Sequence, residues 1–239
     1  MEQRREERRQ TVSAHKRGLI LEAARDVFMA EGLEGASLRA IAARAGYTPA
    51  ALYFHFDSKE AIYAEVLQAS LAALGRAVDA AVAGAACPRE RLHAAAMAFF
   101  DFYTRNPCDL DLGFYLLRGG MKPAGLGRAR DEALNAALEA ALWPIAAAAE
   151  ELGALTTDAK MLMVDIFAHA TGLLLLLHTG RIRMFGASAS ALMEAYVHDR
   201  IDRLSPRGKP PAKRGPPPGA GRGPRKPTLF SQQHNKNSF

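Results

Sequence analysis

SLRAIAARAGYTPAALYFHFDSK, residues 37–59, decides how the rest of the chain is read. Ser37 is placed to cap a helix start, because its hydroxyl can accept from a backbone N–H that has no partner within the helix. Leu38, Ile41, Ala42 and Ala45 then recur at i, i+3, i+4 and i+7 and make one apolar face. Gly46 falls where a left-handed residue would end that helix. Thr48 supplies a second cap, and Pro49 the first helical position, where its missing N–H costs nothing. Leu52, Tyr53 and Phe56 follow, and Asp57 with Glu60 three residues on has the capping-box pattern of a further helix start. Two short capped helices across a tight glycine turn make a helix-turn-helix.

Working outward, Gly18 to Glu31 is an amphipathic helix ended by Gly32. Ile20, Ala23, Ala24, Val27 and Phe28 trace one face, with Glu22, Arg25 and Asp26 opposite. Its apolar face has the helix-turn-helix to bury against, so the three helices form one small head. Residues 1–17 are a polar arm with six basic and three acidic residues. The arm is either a solvated, partly disordered tail or an extension that reaches DNA phosphates or a minor groove.

The register of these residues is specific. Ile20, Ala23, Ala24, Phe28 and Gly32, then Ile41, Ala42, Ala45 and Gly46, then Leu52, Tyr53, Phe56, Ser58, Lys59 and Glu60, resemble the N-terminal head of the TetR family of transcriptional regulators. The resemblance covers almost fifty residues. Over the remainder it extends only to helical character and length. It implies an all-α fold, with a three-helix DNA-binding head followed by a larger helical domain for ligand binding and dimerisation. The expected organisation is the arm at 1–17, the head at 18–63, the helical domain at 64–204 and a tail at 205–239.

In that larger domain, helices are expected from about Ser58 into the low eighties, from Pro88 to Asn106, from about Asp109 to Arg118 and from Pro123 to about Leu152. Trp143–Pro144 should kink or split the last of these. Thr157 to Thr179 is apolar nearly all round, which implies burial on most sides, and Ala187 to Leu204 forms the final helix. The resemblance implies that residues 157–179 and 187–204 pair with their copies in a homodimer.

Charge separates the tail from the rest. Residues 205–239 hold eight of the 31 basic side chains and none of the 25 acidic ones, leaving a net of −2 before them. Rich in Pro and Gly, this stretch cannot bury enough apolar surface to fold, and reads as disordered. It is either a solubilising extension or a source of nonspecific, salt-dependent DNA affinity. Cys87 and Cys108 do not make a disulfide framework, and residues 1–17 lack the apolar core of a leader. The longest apolar run, near Leu173–Leu177, is far short of a membrane span. A cytoplasmic location without membrane contact is the expectation.

The second helix of the motif would enter the major groove of a double-stranded DNA operator with Thr48, Pro49 and Ala50, whose small side chains permit close approach. Ser37 starts the helix before it. These residues offer few hydrogen bonds, so base reading leans on Arg39, Arg44 and Tyr47, although Arg39 could equally face phosphate or solvent. The resemblance implies phosphate contacts for Tyr53 and Lys59. Phe54 departs from the family pattern and cannot hydrogen-bond phosphate, which leaves that contact to His55. A protonated His55 would hold phosphate better, so mild acid should tighten binding.

The resemblance also implies a small-molecule effector. Phe99, Phe102, Tyr103, Tyr115, Trp143, Met161 and His169 are the candidate lining, a set that suits an apolar or aromatic ligand, although each taken alone also suits an ordinary core. Asp165 and His169 stand at i and i+4, and read as a core histidine oriented by a carboxylate rather than a metal pair. No metal or cofactor is assigned. The chain holds no GxSxG, HExxH or Gly-rich phosphate loop, so an enzyme is not expected. The reading is a ligand-responsive repressor. A ligand-binding protein without DNA affinity, or a constitutive DNA-binding regulator with no inducer, is the alternative.

Overall fold

The fold follows from capped, amphipathic segments that each have one face to bury. The computed structural model describes residues 1–114 and 125–204. Tyr115, the 115–118 part of the expected helix, the Pro123 start and the tail at 205–239 lie outside the described residues. Among the described residues all regular structure is helical: α1 Glu2–Gly35, α2 Leu38–Ala45, α3 Pro49–Tyr53, α4 Lys59–Ala83, α5 Pro88–Arg105, α6 Pro107–Gly113, α7 Arg128–Glu151, α8 Thr156–His178 and α9 Ala189–Leu204. A 3-10 turn, Arg181–Phe185, joins the last two.

The central motif forms as its residues dictate. Ser37 Oγ accepts from the Ala40 N–H and Thr48 Oγ1 from the Ala51 N–H. Gly46 adopts φ 74°, and the pair of bonds Tyr47 N–H to Ala42 O and Gly46 N–H to Ala43 O closes α2 as a Schellman motif. A Cβ at Gly46 would meet nothing within 4 Å, so glycine is needed there for its backbone angle and not for space. Ile20, Phe28, Ile41, Ala42 and Leu52 are buried together as the head's core.

Several expectations are corrected. The arm at 1–17 is helical from Glu2 and continuous with α1, because Arg, Glu and Gln are strong helix formers and pairs such as Gln10–Glu6 and Arg9–Glu6 line its surface. The helix path breaks instead at Gly32, with φ 71°. The cap of α4 is Ser58, which accepts from the Ala61 N–H, and not Asp57. Helix α6 starts at Pro107, two residues early, since proline suits the first turn. Helix α7 starts at Arg128, because Gly127 sits at φ 101° and the Leu126 N–H is taken by Asp131 Oδ1. It then runs as one element through Pro144, with Leu142, Ile145 and Ala146 buried on either side of the proline.

Helix α4 continues from the head into the larger domain and packs on α1, α5, α6 and α7. Residues Met1–Ser205 form one compact unit. Two contacts tie the head to α6. Arg25 Nη2 on α1 lies 2.8 Å from Asp109 Oδ2, and Tyr63 Oη on α4 donates to the Leu112 carbonyl at 2.8 Å. Helix α8 is not buried on most sides. Met161, Val164, Ala168, Gly172 and Leu175 form an exposed stripe along it. Helices α4 and α8 have the length and mean hydropathy, 1.3 and 1.7, to cross a membrane. Helix α4 nevertheless holds eight buried residues, including Ile62, Tyr63, Leu71 and Leu74, in the core of the bundle.

Candidate nucleic-acid interface and effector cavity

On the head, Arg39, Arg44, Thr48, Pro49, Ala50 and Tyr53 are all exposed on α2, α3 and the turn between them. Tyr53 is 59% exposed, and so is not a packed aromatic between helices. Phe54 is 91% exposed. Tyr47 is half-buried and packs on the core, which leaves it less free to reach a base than the sequence suggests. Arg44 is held by Asp26 of α1, with contacts of 2.7 and 3.1 Å to one carboxylate oxygen. Arg39 has no ion pair among the described residues, so it is the uncommitted guanidinium of this surface.

Lys59 has a role that the sequence did not reveal. Its ammonium donates to the carbonyls of Leu33, Glu34 and Ala36, at 2.9, 3.3 and 3.4 Å. These carbonyls end α1, where the helix dipole is negative and backbone acceptors have no helical partner. In this structure Lys59 closes the head, and the phosphate contact implied by resemblance is not one its ammonium is free to make.

The helical extension adds a second basic surface. Arg8, Arg9, Val12, Ser13 and Lys16 border one shallow cleft with the half-buried His55. Arg17 is a structural residue: its guanidinium pairs with Glu65, donates to the His55 carbonyl at 2.8 Å and lies 4.2 Å from the Phe56 ring centroid. That bond fixes the backbone of His55 beside the cationic extension.

In the larger domain a cavity of about 230 Å³ opens among α4 to α8. Phe99 and Tyr103 line it as expected, and Phe99 meets Tyr103 and Phe167 edge-on at 5.1 and 5.7 Å. The remaining wall was missed in the sequence: Leu67 and Leu71 from α4, Leu110, Gly113 and Phe114 at α6, Leu134, Asn135 and Leu138 from α7, and Phe167 and Thr171 from α8. No local signal distinguishes such residues from ordinary core. The Thr171 hydroxyl is buried there without a hydrogen-bond partner among the described residues. Burial, with the charge of Asp109 adding to it, holds the Tyr103 phenol well above its ordinary range and therefore neutral.

Four other candidates lie elsewhere, and a fifth, Tyr115, is outside the described residues. Phe102 packs edge-on against Tyr103 but lines a separate surface cleft. Trp143 is partly exposed, with Lys160 Nζ 5.5 Å from its ring centroid, and Met161 is 62% exposed on α8. His169 is not oriented by Asp165. It stacks flat on Tyr196 of α9, with centroids 3.6 Å apart, while Asp165 Oδ2 lies 3.0 Å from Arg200 Nε. Desolvation lowers the His169 pKa, opposed by the charge of Asp165 and assisted by that of Arg200.

Comparison with known proteins bears on the head and on the fold. Residues 20–66 match the profile of the bacterial regulatory proteins of the tetR family. The chain is 42% identical over 87 residues to the transcriptional activator FasR of Mycolicibacterium smegmatis, a match spanning 36% of this chain and 40% of FasR. The fold resembles a TetR-like transcriptional regulator from Rhodococcus sp. RHA1, with a TM-score of 0.60, 20% identity and coverage of 78% of this chain and 96% of that one. It also resembles the transcriptional regulator FadR from Bacillus subtilis, solved with stearoyl-CoA. There the TM-score is 0.58, with 15% identity and coverage of 79% and 97%.

Proposed function

We propose that this chain, which belongs to the TetR family of transcriptional regulators, is a homodimeric repressor released from its operator by a compact apolar molecule. The observation that carries the reading is the exposed surface of α2 and α3, with Arg39, Thr48, Pro49, Ala50 and Tyr53 displayed on a well-capped frame. Thr48, Pro49 and Ala50 enter the groove, Arg39 reads a base edge, and Tyr53 grips phosphate. His55 with Arg8, Arg9 and Lys16 adds backbone affinity from the extension.

The cavity supports an effector of limited size. It falls below the ~300 Å³ at the low end of ordinary ligand pockets, and its described wall is aromatic and aliphatic apart from Asn135 and the Thr171 hydroxyl, which has no partner among the described residues. A small aromatic or a medium-length acyl chain carrying one hydrogen-bonding group fits that description. A whole long-chain acyl-CoA, the ligand seen with FadR, exceeds it.

Helix α6 connects cavity and head. Leu110 and Gly113 face the cavity, while the neighbouring Asp109 holds Arg25 of α1 and the Leu112 carbonyl holds Tyr63 of α4. A ligand that displaces α6 therefore acts on the head, provided it prefers the released conformation.

The dimer is supported by α8. Gly172 lies mid-helix at a cost of about 1 kcal/mol against alanine, yet a Cβ there would meet nothing within 4 Å. Nothing among the described residues requires glycine at that place. Close approach of a second α8 across Ala168 and Gly172, flanked by Met161, Val164 and Leu175, supplies the reason.

Selection of bound sequences from random duplex DNA, followed by gel-shift titration at physiological salt, tests the proposal. Specific binding should weaken about tenfold in Tyr53→Ala, the loss of one phosphate hydrogen bond, and persist in a chain ending at Leu204. Affinity that disappears with the tail, or that Tyr53→Ala leaves unchanged, would refute the head as the reader. Thermal shift with aromatic acids and medium-chain fatty acids, followed by operator release, tests the effector.

A further inference from the structure

Helices α5 and α9 run antiparallel, and they bring together residues about a hundred positions apart. His93 on α5 faces Glu194 and His198 on α9, and one turn along each helix Arg89 pairs with Asp202. His93 Nε2 lies 2.8 Å from Glu194 Oε1, and His198 Nδ1 lies 3.8 Å from the same oxygen. One donor atom from each of the three side chains lies within 4.8 Å of the other two.

We infer that His93, Glu194 and His198 form a binding site for a divalent transition metal, with zinc as the best chemical match. Donors around one tetrahedral zinc ion stand ~3.3 Å apart, given bonds of about 2.0–2.2 Å to nitrogen and oxygen. The 2.8 Å between His93 and Glu194 and the 4.8 Å bound on all three donors bracket that spacing, so rotations of partly exposed groups are enough to close it. Two imidazoles and one carboxylate are a donor set that zinc, cobalt and nickel share, and one that calcium and magnesium do not favour.

The surroundings suit the ion. His198 Nδ1 lies 2.9 Å from the Glu194 carbonyl one turn back on its own helix. With Nδ1 protonated and donating to that carbonyl, Nε2 holds the free lone pair of the ring, so His198 would ligate through Nε2 and not through Nδ1, the way a backbone carbonyl sets the tautomer of a metal-bound histidine. A solvent-open cleft lined by His93, His198, Glu90 and small residues such as Ala94 lies beside the site. It gives an entry path and room for a water as the fourth ligand. A bound ion would join α9 to α5. The site is separate from both the DNA-reading surface and the effector cavity, so the inference does not depend on the proposed function.

Calorimetric titration of zinc and cobalt into the full-length protein tests the site. One ion should bind per protomer with micromolar or better affinity and raise the melting temperature. His93→Ala and His198→Ala should each weaken binding at least tenfold. Cobalt should give a spectrum of nitrogen and oxygen ligation, unchanged in a Cys87→Ser, Cys108→Ser background. Circular dichroism confirms that the variants fold, as expected for side chains already partly open to solvent. Wild-type affinity in the His93→Ala, His198→Ala double variant would overturn the site, as would a wild-type dissociation constant near millimolar.

Discussion

Replacing Arg25 by alanine removes the one cation that pairs with Asp109 among the described residues. The two partners differ in exposure: the Arg25 side chain is 46% exposed and that of Asp109 only 5%. Among the described residues one Asp109 oxygen lacks a hydrogen-bond partner, and the other is held by Arg25. Removing one partner of a fully buried pair costs ~3–5 kcal/mol, because the other charge is left uncompensated. With Arg25 about half in solvent, roughly half of that applies, so Arg25→Ala should destabilise by about 2 kcal/mol. In a chain of this length that lowers the melting temperature by about 4–8 °C. Asp109→Asn should cost less, about 1 kcal/mol or below, because it leaves behind a half-solvated guanidinium and removes a desolvated charge. The double variant should match Asp109→Asn alone. Thermal and urea unfolding at fixed protomer concentration measure all three. Equal losses from the two single variants, or an Arg25→Ala loss below 0.5 kcal/mol, would show that the pair is not a desolvated latch.

Gly172→Leu separates dimer contacts from folding. Leucine is the better helix former and meets open space within the chain, so the protomer should keep or gain stability while sedimentation shows dimer dissociation strengthened at least tenfold. An unchanged dimer constant would place the interface elsewhere. His169 supplies a pH test. Its pKa is lowered in the fold by desolvation, so the unfolded chain takes up its proton first as pH falls. Its contribution is therefore complete above about pH 6.5 and lost as pH drops through the folded value. His169→Phe, which keeps the stack on Tyr196, should flatten the loss of stability between pH 7 and pH 5. A parallel loss in the variant would assign the acid sensitivity to other groups.

The sequence by itself determined the head and the helical course of the chain. Caps, the glycine turn and the period of the apolar residues act within a few positions, so Ser37, Gly46, Thr48 and Pro49 could be read directly, and α2 and α3 formed as read. The misjudged helix starts also have local causes, in competing caps and prolines that the same pattern permits, as at Ser58 and Pro107.

Tertiary structure alone decided which side chains are free to act. Lys59 looks like an exposed first-turn lysine until α1 ends beside it, and Arg44 looks like a base reader until Asp26 of α1 meets it. Seven aromatic, methionine and histidine candidates were equivalent in sequence, yet of the six among the described residues only Phe99 and Tyr103 line the cavity, because a cavity is a gap among five helices and no single helix records it. His93 and Glu194 gave no signal at a separation of 101 residues, and the antiparallel packing of α5 and α9 puts them 2.8 Å apart. Short-range bonding writes helices into a sequence, whereas a site is made by chain closure, which sequence spacing does not carry.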